Sequence, residues 1–101
     1  MKTDLIQAVG LMEDGALWVK PANASFPYIY REAMEVHWDE NERRLFGAKP
    51  RPNPHLDFSQ LQWFHQILAA AKEQGVTLLV SAETNWSNTP PQLRAEILAA
   101  G

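Results

Sequence analysis

Glu35, His37 and Asp39 fall at alternate positions of AMEVHWDENERRLFG, residues 33–47, with Met34, Val36 and Trp38 interleaved. A carboxylate, an imidazole and a second carboxylate on one face could hold a metal ion or pass a proton. A strand lying on the surface of a sheet has the same pattern. Spacing separates the two readings, because side chains two residues apart on a strand sit about 6.5–7 Å apart. One ion does not easily span all three. A hairpin closed by the DENE run would place Arg44 opposite His37, and a guanidinium there opposes a bound cation. The reading is a solvated face whose carboxylates pair with Arg43 and Arg44, with no metal and no cofactor.

The remaining histidines do not supply a metal site. His55 lies in a proline-rich stretch, His65 lies on the polar edge of a helical pattern near Lys72, and neither has the i, i+4 partner of a helical zinc site. The chain has no Cys, which removes thiolate zinc sites, disulfides and a cysteine nucleophile together. It has no Gly-rich phosphate loop and no G-x-S-x-G elbow. Acid–base chemistry would need only His37 or His65 to meet Glu35, Asp39 or Glu83 in space. A small hydrolase or lyase is therefore the alternative to a non-enzymatic binding or interaction module.

The aromatic residues point to the module. Trp18, Trp38, Trp63 and Trp86 cannot all be central in the core of a 101-residue chain. Trp86 sits in the polar run ETNWSN, and Trp63 stands at the edge of a helix's apolar arc. Exposed Trp and Tyr are enriched at interaction hot spots, so Tyr28, Tyr30, Trp63 and Trp86 are the candidate contact residues. Surplus apolar surface on identical chains is commonly covered by a two-fold partner, which predicts a homodimer with Trp63 or Trp86 near the second copy. A protein partner is a further expectation, as is a small apolar ligand beneath the helix.

These residues belong to one domain, 1–101, since the length suits a single core. Apolar residues make up 46 % and charged residues 21 %, ordinary globular usage. A net charge of −3 removes the general attraction to phosphate unless a local patch supplies it, so no nucleic acid is expected. No segment has the roughly 20 apolar residues of a membrane span and the N-terminus carries no signal-like run, so the chain reads as cytoplasmic with no membrane partner.

The positioning elements read as α+β: a mixed, mainly antiparallel sheet of four to five strands, one long amphipathic helix across a face, and a short C-terminal helix. Asp14-Gly15 marks a hairpin between strands 5–12 and 16–20, with Met12 opposite Leu17 and Leu11 opposite Trp18. A short helix ending at Gly10 competes for residues 4–10. A strand running from about 28 or 33 to 38 turns at DENE and returns at RRLFGAK, so that Trp38 opposes Arg43 and Val36 opposes Leu45. KPRPNPH is an extended connector. Residues 57–74 form the helix, with Trp63, Phe64, Ile67, Leu68, Ala70, Ala71 and Leu61 on one side, Asp57 and Gln60 as a capping box, a Leu56–Leu61 staple, and Gly75 at its end. VTLLVS, apolar at nearly every position, reads as a strand covered on both faces and parallel to 43–48. ETNWSN reads as a loop, and TPPQLRAEILAA as a helix with Thr89 as N-cap and a Leu93, Ile97, Ala100 stripe.

Overall fold

The computed structural model describes residues 2–13, 16–32, 36–47 and 60–100. They form β1 (Lys2–Leu11), β2 (Leu17–Pro21), β3 (Val36–Asp39), β4 (Arg44–Gly47), α1 (Gln60–Glu73), β5 (Val76–Leu79), β6 (Asn85–Ser87) and α2 (Pro91–Ala100). The fold is α+β, as the sequence predicts, with a mixed six-stranded sheet in the order β3-β4-β2-β1-β5 and β6 paired to β1. The extra strand is β6, at the centre of the run expected to be a loop.

β1 organises the sheet. One edge pairs antiparallel with β2, while the other holds β5 along Lys2–Leu5 and β6 along Ala8–Gly10, both parallel. Residues 4–10 are therefore strand throughout, and the helical alternative falls. The register against β2 slips where Ile6 pairs Pro21 and Ala8 pairs Lys20, so Gln7 bulges beside a proline that has no N–H to donate. The gap between β5 and β6 is closed by the buried Thr84, whose hydroxyl donates to the Ile6 carbonyl (2.7 Å) and accepts from the Ser81 N–H (3.0 Å). Those bonds satisfy backbone groups that the interrupted ladder leaves over.

Both hairpins form with registers that differ from expectation. Leu11 pairs Leu17 and Gly10 pairs Trp18, with the Met12 N–H donating to the Ala16 carbonyl (2.8 Å). This one-residue shift exchanges the faces of β1 relative to β2. Asp14 and Gly15 lie outside the described residues. In the second hairpin Trp38 pairs Leu45, Val36 pairs Gly47 and His37 pairs Phe46, a two-residue shift that keeps every face as expected but removes Arg44 from its place opposite His37. The turn holds because the Asp39 Oδ1 accepts the N–H groups of Asn41 (3.0 Å) and Glu42 (3.2 Å), and Arg43 takes φ 53. The strand is described from Val36, and residues 33–35 lie outside the described residues; a start near 28 is excluded because Ile29–Arg31 is a 3-10 turn, with Phe26 and Ile29 buried in the core.

β5 pairs with β1 and not with β4, both of whose edges are taken by β3 and β2. It is a peripheral strand: Leu78 is buried, but Leu79 is 40 % exposed, so its apolar run is not covered on both faces. α1 buries Trp63, Phe64, Ile67, Ala70 and Ala71 at helical spacing, with Leu61 and Leu68 half-buried. It ends as the sequence predicts, with Gly75 at φ 87 and its N–H on the Lys72 carbonyl (2.9 Å). Asp57, Leu56 and the connector 49–55, with His55, lie outside the described residues. α2 buries Leu93 and Ile97, the Ala100 side chain lying outside the described residues, and its first residue is Pro91, with the Pro90 carbonyl before it accepting the Arg94 N–H (3.0 Å). The Thr89 hydroxyl donates to the Ser87 carbonyl (3.1 Å) in place of capping the helix.

The segment after β2 covers the same side of the sheet as α1, and Asp4 tethers it. Burial works to raise the Asp4 carboxyl, yet the N–H groups of Ala24 (2.8 Å) and Asn23 (2.9 Å), the Asn23 side-chain amide (3.3 Å) and the Leu5 N–H (3.0 Å) outweigh it. The carboxyl is held below its ordinary 3.8.

Candidate functional site

Strand alternation sorts the sheet residues onto two faces. Ile6, Val9, Leu17, Val19, Val36 and Leu45 point toward α1 and are buried. The opposite face carries no described helix. Across it the registers align one row: His37 pairs Phe46, Phe46 pairs Trp18, Trp18 pairs Gly10 and Gly10 pairs Ser87.

The row is ordered by ring packing. The His37 and Phe46 rings lie 5.2 Å apart at an interplanar angle of 33°. The Trp18 indole lies over Gly10, where an added Cβ would come within 2.4 Å of the ring and 2.7 Å of the Ser87 carbonyl oxygen. Only glycine admits that approach. The Arg44 guanidinium stacks over the same indole, 4.8 Å from its centroid. Lys20, two residues beyond Trp18, shares this face, and among the described residues no carboxylate pairs with Lys20 or Arg44. The buried Arg44 Nε has no hydrogen-bond acceptor among them. Asp39, paired with Arg44 across the ladder, gives its Oδ1 to the turn amides. At the far end of the same face Leu5 pairs Leu79, and the two are 44 % and 40 % exposed.

The predicted chemistry does not assemble among the described residues. His37 is exposed and packs on Phe46, Asp39 serves the turn, and Glu35 lies outside the described residues. Among the described residues Arg43 pairs with Glu40 (3.7 Å) and not with Asp39. His65 is exposed on α1 with its ring 6.3 Å from that of Phe64. No described group of three His, Asp or Glu residues is placed to hold a metal ion.

The predicted contact residues separate as well. Trp63 is 2 % exposed, and its ring lies where a Cβ on Gly47 would reach within 2.6 Å, so it belongs to the core and not to a surface. Trp86 pairs Val9 and faces the α1 side, half-buried against the core with the Arg94 guanidinium 5.3 Å from its ring. Tyr28 is 54 % exposed, with the Arg31 guanidinium 5.0 Å from its ring. Tyr30 falls in the adjoining 3-10 turn, and its side chain lies outside the described residues. Sequence reasoning missed Trp18 as a member of the open face. The signal lay in LWVK and RRLFG, where Trp18 and Phe46 stand out of phase with the buried Leu17, Val19 and Leu45.

Under the 3-10 turn, Glu32, Gln66, Ala69, Ala70 and Glu73 line a cavity of about 190 Å³. Two carboxylates, an amide and two alanine methyls thus line it together. No described helix is long and apolar enough to cross a membrane.

Residues 4–84 match the family model described as Integron Cassette Protein Hfx_Cass5. A solved structure, "Structure from the mobile metagenome of North West Arm Sewage Outfall: Integron Cassette Protein Hfx_Cass5", is 45 % identical, with 99 % of this chain and 96 % of that chain covered and a TM-score of 0.49. No curated protein matches.

Proposed function

From the chain's membership of the Hfx_Cass5 integron cassette protein family and the two unlike faces of its sheet, we propose a small non-enzymatic binding module that self-associates through the open face. One observation carries the reading: the neighbouring Leu5 and Leu79 stand side by side on adjacent strands, 44 % and 40 % exposed, while Ile6, Val9, Leu17, Val19, Val36, Leu45 and Leu78 are buried on the α1 side. Thr3 and Thr77, the preceding ladder pair but one, share that face and extend the strip along both strands. A two-fold axis beside β5 would bring the strip of one copy onto that of the next, each covering the other's leucines. The buried Trp63 and the packing of Trp86 against the core favour a contact away from both tryptophans.

Sedimentation at micromolar concentration tests the reading. A dimer is expected for the parent chain and a monomer for Leu79→Glu, whose added charge could not enter an apolar contact without a partner. A parent that sediments as a monomer, or a Leu79→Glu dimer of unchanged affinity, would remove the case for this surface.

A further inference from the structure

The other end of the open face has a different chemistry, and it rests on the same reading of that face as the contact surface. We infer that the patch formed by Arg44, Lys20, Trp18, Phe46 and His37 binds an acidic segment of a protein partner, with a carboxylate on Arg44 and Lys20 and an apolar side chain over Phe46 and His37.

Charge complementarity carries the argument. Arg44 and Lys20 share a face on neighbouring strands, and among the described residues neither has a carboxylate partner, although the chain as a whole carries −3. The acid nearest in the ladder, Asp39, is engaged by the Asn41 and Glu42 amides. Stacking on Trp18, itself seated on Gly10, holds the Arg44 guanidinium in place, so less side-chain entropy is lost when a carboxylate arrives. The planar fork of Arg suits a carboxylate in two-point contact.

The occupant's class follows from shape and count. The row of rings crosses three strands, about 10 Å, as an open surface, whereas small ligands favour concave sites. Single-stranded nucleic acid would also stack on rings, but it brings one charge per nucleotide to a chain of net −3 that offers, among the described residues, two cations on this patch. A short acidic peptide segment matches two cations without that excess.

The probe is a synthetic peptide with two glutamates around one phenylalanine, titrated at millimolar concentration into isotope-labelled protein. Saturable shifts of the amides of β2 and β4 and of the Trp18 indole are expected, weakening with added salt. Arg44→Gln and Lys20→Gln should each weaken binding about tenfold, the scale of one charge-assisted hydrogen bond, and Lys72→Gln on α1 should not. Because Arg44 also packs on Trp18, the Lys20 variant keeps the test alive if Arg44→Gln unfolds. Absence of shifts, equal shifts with a peptide of two lysines, or tighter binding of oligothymidylate at these residues would overturn the assignment. Leu79→Glu should keep the peptide site and Lys20→Gln should keep the sedimentation behaviour, so either proposal can fail alone.

Discussion

One sheet carries rings on both faces, and the two sets meet opposite fates. On the α1 side Trp63 and Phe64 are buried, and Phe26 meets Trp38 edge to face at 5.8 Å. On the other side Trp18, Phe46 and His37 remain in contact with solvent to differing degrees. Each face seats a tryptophan against a glycine: Trp63 on Gly47 and Trp18 on Gly10. The same local device therefore closes a core on one side and organises a platform on the other. What differs, among the described residues, is whether a helix lies over it, since a partly exposed ring makes only part of the contacts that a closed layer supplies.

Truncating one ring on each face should separate the two most clearly. Phe64→Ala, at a fully buried position, should cost about 3–5 kcal/mol in urea unfolding through lost transfer energy and a cavity. Phe46→Ala should cost only about 1 kcal/mol, the scale of its ring pair with His37. Equal costs would mean that the open face is as closed as the other.

A smaller effect is expected at the glycine under Trp63. An added methyl at Gly47 would meet the indole at 2.6 Å, and α1 gives that ring nowhere to move, so Gly47→Ala should lose about 1–3 kcal/mol, read as a lower urea midpoint. A neutral result would place the slack in the core and not outside it.

The smallest effect concerns the tether of the covering segment. The folded Asp4 carboxyl lies below 3.8, so its contribution is fully present above that pH and is lost as the pH falls through the lowered folded value. The group is partly exposed, which limits the contribution to under about 1 kcal/mol. Melting of the parent and of Asp4→Asn should differ most at neutral pH and converge in acid; a constant difference across that range would assign the tether's effect to something other than ionisation.

Sequence periodicity made α1 legible, because Trp63, Phe64, Ile67, Ala70 and Ala71 recur at helical spacing and Gly75 ends the helix at a positive φ. The second hairpin was legible in its faces but not its pairing. A shift of two residues leaves the alternation intact, and Asp39's hold on the turn amides decided the register that puts Phe46 and not Arg44 beside His37. The first hairpin lost a residue of register, and with it the pairing of Gly10 and Trp18 on which the aromatic row depends.

By itself, the sequence determined the α+β class, the apolar arc of α1, the buried face of β3 and β4, and the lack of thiol chemistry, because each follows from local spacing or from a residue type. Tertiary structure decided where β5 pairs, that ETNWSN contains a strand, and which tryptophans are buried. Those outcomes turn on long-range competition for strand edges and on which glycine each indole finds. β4 had no edge left for β5, the long edge of β1 had room for both β5 and β6, and Gly47 beneath α1 admitted Trp63 to the core while Gly10 left Trp18 on the open face.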